Sequence, residues 1–185
     1  SIFRPGDFFA ANPFSGASAF LGGTAHNFDS NGGKDHFQSI TIPAGTTIIV
    51  VLQWDSPFFS ACPPSTSNCQ STQNDLDLYM FDASASNIIT GVTSNNITMG
   101  DAVETFGVTN SGSTPLTVNL MIVNRSGSNP GLFKYVYFFS GPPPTINEFN
   151  TQSGTIYGHA NAVGAEAVGA ARYSRTPAFG VSPPE

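Results

Sequence analysis

Two aspartates one residue apart, Asp75 and Asp77 in "NDLDLYMFD", are the first place in this chain where chemistry could sit. Side chains at i and i+2 of a strand leave from the same face, so both carboxylates point the same way. Asn74, Asp55 and Asp82 belong near the strand ends beside them. Such oxygen-rich groups suit Ca²⁺, which takes six to eight oxygen ligands. The candidate metal set is Asp75, Asp77 and Asp55, for calcium, and no other cofactor is expected. The alternative is plain: carboxylates at strand ends that cap turns and stay solvated. No EF-hand spacing accompanies them.

Three aromatics form a second candidate. Trp54, Phe58 and Phe59 flank "DSP" at a strand end and could stack on a sugar or a protein substrate. Packing into the core is the rival use of Trp54. Cys62 and Cys69, in "CPPSTSNC", lie seven positions apart in a soft Pro/Ser loop and can reach each other. A disulfide there implies an oxidising compartment, hence a secreted or periplasmic protein; two free thiols are the alternative. A zinc pair is disfavoured, because neither C-x-x-C spacing nor neighbouring histidines exist. His26, Asp29, Asp35 and His36 hint at another metal site, but alternation puts Asp35 and His36 on opposite faces. Asn96-Ile-Thr98 and Asn124-Arg-Ser126 match the glycosylation sequon, a pattern frequent by chance.

The elements that must hold these groups read as β. "KDHFQSITIP" alternates, with Phe37, Ser39 and Thr41 on one face and His36, Gln38, Ile40 and Ile42 on the other. "AGTTIIVVLQW" follows across a Pro43-Ala44-Gly45 turn, which predicts a hairpin. The unbroken apolar run Ile48 to Leu52 predicts a strand covered on both sides. "NIITGVTS" and "VETFGVTN" are shorter strands. "PLTVNLMIVN" places Leu116, Val118, Leu120 and Ile122 together, and "GLFKYVYFFSG" does the same for Phe133, Tyr135, Tyr137 and Phe139. Strands recurring every 10 to 20 residues, without an amphipathic helix, define an all-β chain. The fold expected is an antiparallel β-sandwich with jelly-roll-like strand order. It occupies residues 24–141, after an irregular aromatic lead over 1–23, and ends at "GPPPT" because Pro cannot donate to a ladder.

Composition narrows the partners. Of 185 residues only 10 % are charged, Phe numbers 16, and the formal net charge is -6. That balance favours a packed core over disorder. It opposes nucleic-acid binding, since no basic stripe exists to replace counterions. No apolar run reaches about 18 residues, so no membrane span is expected.

Residues 142–185 differ from the rest. "GHANAVGAEAVGAARYSRTPAF" is similar to the segment of subtilisin-like serine peptidases that ends in an "AVGA" strand, here Ala167 to Ala170. "FQSITIPAGTTIIVVLQW" with "DLDLYMFD" resembles the pre-peptidase C-terminal (PPC) type of β-sandwich that accompanies secreted proteases. Some subtilases carry such a domain inside the catalytic domain. The resemblance implies a PPC-like insert at 24–141, followed at 142–185 by part of an α/β catalytic domain whose other strands lie elsewhere. It also implies calcium, which PPC-type domains of some proteases bind. No D-[ST]-G, H-G-T-x-V-A-G or G-T-S-x-x-x-P motif occurs, and His159 sits at the wrong place in the family order. No catalytic residue is therefore carried over, and the chain alone is expected to be inactive. The expectation is an accessory domain that shapes substrate access or stability, partnered by the rest of the catalytic domain. A free-standing extracellular module binding carbohydrate or protein is the rival.

Overall fold

The computed structural model of the chain describes residues 2–3, 8–10, 21–63, 65, 67–98 and 100–151. The tail expected to supply the "AVGA" strand, with His159, lies outside the described residues. Within them the structure is β throughout, with one short 3₁₀ turn at Phe59–Ala61 and no α-helix. The strands are β1 (Ile2–Phe3), β2 (Phe8–Ala10), β3 (Thr24–His26), β4 (Gln38–Ile42), β5 (Thr47–Trp54), β6 (Asn74–Asp82), β7 (Ile88–Val92), β8 (Val103–Thr109), β9 (Leu116–Gly127), β10 (Phe133–Ser140) and β11 (Thr145–Ile146).

Two antiparallel sheets result. The first runs β1-β10-β5-β8. In the second, β9 takes β6 along one side, with β7 beyond it, and shares the other side between β4 and β3. β11 extends β4 and β2 extends β3. Setting β1-β10-β5-β8 against β4-β9-β6-β7 gives the order of an eight-stranded jelly roll, two interlocked Greek keys. The all-β sandwich expected from the alternation is the fold.

Three local expectations are corrected. The Pro43-Ala44-Gly45 turn does not close a hairpin, because β4 joins the second sheet and β5 the first. Gly45, at φ +72, bonds instead to the Asn110 carbonyl, and the chain passes from one layer to the other. Turn chemistry is the same at a sandwich corner and at a hairpin; long-range pairing chooses. Secondly, the run Ile48 to Leu52 is not covered on both faces. Ile48, Val50 and Leu52 are buried while Ile49 is 46 % exposed. β-branched side chains suit either face of a pleated strand, so the run reported strand propensity and not burial. The doubly buried strand is β6, whose first eight residues are all buried. Its inner face joins the core between the sheets, and Tyr79 and Phe81 on its outer face pack with Leu21, Ala25, Phe37, Met121 and Val123 in a second cluster.

The third correction concerns the ends. The sandwich runs past Gly141: β11 pairs with β4, the buried Gln38 side chain donates to the carbonyls of Glu148 and Phe149, and Phe149 packs on the core. The Tyr135 hydroxyl in turn donates to Gln38 Oε1, so one amide ties both sheets to the segment after the prolines. Proline stopped β10 without stopping the domain. At the other end β1 and β2, within the expected lead, pair into the sheets.

Cys62 and Cys69 form a disulfide with their Cα atoms 5.7 Å apart. Closing so short a loop restricts the unfolded chain by about 2.5 kcal/mol in the chain-entropy model. Replacing both cysteines by serine is expected to lower the unfolding free energy by about that amount, read as a lower urea midpoint at unchanged slope. An unmoved midpoint would show that the loop contributes nothing to stability.

Candidate functional site

Asp75, Asp77 and Tyr79 stand at alternate positions of β6, and all three line one concavity on the outer face of the second sheet. Beside them β9 brings Arg125, at a register shift between Asp75 and Leu76 where the ladder is irregular. The Arg125 guanidinium donates to the Leu21 carbonyl. Together with Thr93 these residues line a concavity of about 390 Å³.

The acids in it are deeply set. Asp77 is 2 % and Asp75 6 % exposed. Asp75 Oδ1 accepts the Asn96 backbone N–H at 3.0 Å, and Asp77 Oδ2 accepts the Tyr79 hydroxyl at 2.8 Å. Burial pushes the Asp77 carboxyl up to about 6; the Tyr79 hydrogen bond opposes that, the Asp75 charge adds to it, and Arg125 opposes it. Burial, and then the hydrogen bond to Asp77, drive the Tyr79 hydroxyl upward as well, so it stays a proton donor.

A third acid approaches from the other sheet. Glu104 on β8 is 3 % exposed. Burial pushes it up to about 7, against hydrogen bonds from the Asn96 side chain and the Ser94 backbone, and the Asp77 and Asp75 charges raise it further. Its Oε1 is buried with no hydrogen-bond partner. Asn96 thus stands between Asp75 and Glu104. No group of three or more His, Cys, Asp or Glu among the described residues is arranged to hold an ion.

The other expected site residues fall apart. Asp55 is exposed beyond the end of β5, its backbone N–H bonded to the Leu132 carbonyl, and does not line the concavity. Asp82 caps the β6–β7 turn, accepting from Ser84, Ser86 and Asn87, which holds its carboxyl down at about 2. Trp54 is 5 % exposed and its Nε1 donates to Thr72 Oγ1 at 2.9 Å, so it serves the core and not a binding platform. Phe58 packs against the same core and Phe59 is half-buried, which leaves no exposed aromatic face of three rings.

Asp29 and Asp35 cap a loop: Asp29 Oδ1 accepts Asn31 N–H, Asp35 Oδ1 accepts Phe37 N–H, and Asn27 Oδ1 accepts the N–H groups of Asp29 and Asp35. His26 is fully buried, its ring edge-on to Phe28 and Phe133 at 4.6 and 4.8 Å. Burial depresses it to about 3. His36 is buried too, and burial lowers it. Both sequon asparagines are buried, with Asn96 Nδ2 on the Asp101 carbonyl and Asn124 Nδ2 on Asn129 Oδ1, so neither can carry a glycan in the folded state.

Sequence reasoning missed Tyr79, Thr93, Glu104 and Arg125. Alternation alone could have added Tyr79 to Asp75 and Asp77, and could have set Glu104 on the inner face with Phe106 and Val108. Arg125 and Thr93 required the pairing of β6 with its neighbours. No protein-family model matches the chain, and no curated protein matches it. No helix among the described residues is long and apolar enough to cross a membrane.

Proposed function

We propose that the chain is a non-catalytic accessory β-sandwich of a secreted subtilisin-like serine endopeptidase, shaping substrate access or stabilising the catalytic domain. The observation that carries this reading is the jelly-roll order built around β6, the strand whose "DLDLYMFD" resembles the PPC type of domain. The disulfide supports an extracellular or periplasmic setting, where such bonds persist. Both described histidines are buried, which keeps them from serving a polypeptide substrate as general base.

The test is the reading frame around the coding segment. An oxyanion "A-A-G-N" motif upstream and G-T-S-x-x-x-P downstream are expected, with fluorophosphonate labelling of the complete protein and none of these 185 residues alone. Stop codons on both sides would sink the proposal. The rival, a free-standing extracellular module binding carbohydrate or protein, draws support from the polar concavity beside β6. Saturable signal on a glycan array from the isolated chain would favour it.

A further inference from the structure

The loop between β3 and β4 carries the only Asn-Gly pair in the 185 residues, Asn31-Gly32. Side-chain atoms of Asn27 and Asp29 cinch that loop. Asn27 Oδ1 accepts the N–H groups of Asp29 and Asp35, and Asn27 Nδ2 donates to the Gly33 carbonyl at 2.9 Å. Asp29 Oδ1 accepts the Asn31 N–H at 2.7 Å. The tip between these anchors is bare. Asn31, Gly32 and Gly33 are exposed, and Gly32 sits at φ +97 with open space where a Cβ would be. Neither the Asn31 side chain nor the Gly32 N–H has a hydrogen-bond partner among the described residues.

That arrangement leaves one reaction open. The Gly32 backbone nitrogen can attack the Asn31 side-chain carbonyl carbon and close a succinimide ring. The new C–N bond replaces the bond to the side-chain amide nitrogen, which leaves as ammonia with the proton that Gly32 gives up. Water then opens the ring at either carbonyl, giving aspartate, or isoaspartate with the main chain routed through the former side chain. A Cβ on the attacking residue hinders this approach, and glycine has none. A fixed side-chain amide hinders it as well, which sets other asparagines apart. Asn96 Nδ2 is held on the Asp101 carbonyl, Asn110 Nδ2 on those of Ile42 and Thr114, and Asn124 Nδ2 on Asn129 Oδ1.

We propose that Asn31 is a site of spontaneous deamidation in the folded protein, and that its conversion loosens the join between β3 and β4. Isoaspartate inserts a methylene into the backbone between the anchors at Asp29 and Gly33. Both products place a new carboxylate near that of Asp29, which already lies against Gly33, and like charges so close repel. The same anchors support the bond from the Phe28 N–H to the Asp35 carbonyl, just before buried His36 and Phe37. The site stands whether or not the protease connection does.

Incubating the whole chain in warm, mildly alkaline buffer, folded and in urea, tests this. Peptide mapping by mass spectrometry should show the exchange of amide for acid at Asn31, and isoaspartyl methyltransferase should label the same peptide. The folded protein should convert at a rate comparable to the unfolded chain, because nothing in the fold holds the reacting atoms. Asn31→Gln should lose the conversion. In the converted protein, hydrogen-exchange protection of the Phe28 and Asp35 amides should fall by about tenfold or more, while β9 keeps its own. A folded protein that retains Asn31 while the urea-unfolded chain converts it overturns the proposal. So does earlier conversion of another asparagine in the folded chain, or unchanged exchange at Phe28 and Asp35 after conversion.

Discussion

At pH 8, Glu104→Gln is expected to raise the free energy of unfolding by about 3 kcal/mol, although it removes a charge and adds no contact. The side chain is 3 % exposed, its Oε1 lacks a partner, and burial holds its pKa at about 7 against an ordinary 4.5. Between those values the folded protein binds a proton that the unfolded chain releases. The linked stability is complete below about pH 4.5, declines as pH rises, and is fully lost above about 7. Glutamine keeps the shape and the neutral state, so its advantage appears only where glutamate must ionise. Urea unfolding at pH 5 and pH 8 reads this directly: the two proteins nearly coincide at the lower pH and separate at the higher. A variant weaker than the parent at pH 8 would mean that the ionised carboxylate is held by a favourable partner.

His26 works in the opposite direction, and its effect is larger. Buried edge-on to Phe28 and Phe133 and depressed to about 3, it stays neutral in the fold while the unfolded chain protonates near 6.5. The stability linked to it is present above 6.5 and is lost as pH falls toward 3, in total about 5 kcal/mol. That is comparable to the whole stability of a small domain. Acid unfolding of the parent is therefore expected to be driven by His26, and His26→Leu should move its midpoint to lower pH. Independently of that variant, the His26 ring signals in NMR should not titrate between pH 8 and 4. A ring titrating near 6.5 in the folded protein would end the argument. Between about pH 4.5 and 6 the slopes from Glu104 and Asp77 both run against that of His26 and together outweigh it, so the parent loses stability as pH rises there, while below about pH 4 His26 dominates and stability falls with acid.

The class of fold was legible because alternation is local. In β4, β9 and β10 each inward residue announces itself by its neighbours, and Ile40, Val118, Leu120, Ile122, Phe133 and Tyr135 are all in the core between the sheets. The shared face of Asp75 and Asp77 followed from the same period, and the disulfide from seven residues of loop. Three further matters had no local signal. The turn after β4 could not declare itself a corner, the run in β5 could not reveal that one side faces water, and the prolines after Gly141 could not show that β11 and Phe149 return to the sandwich.

Side-chain direction, strand tendency and loop closure depend on residues a few positions apart, and those the amino-acid order determined by itself. Which sheet a strand enters, which face is roofed over and which charge ends up near which depend on partners far along the chain. Asp77 on β6, Arg125 on β9 and Glu104 on β8 are within electrostatic reach because β6 pairs with β9 and packs near β8. Tertiary structure alone decided that, because a carboxyl's burial and the company it keeps are properties of the assembled core.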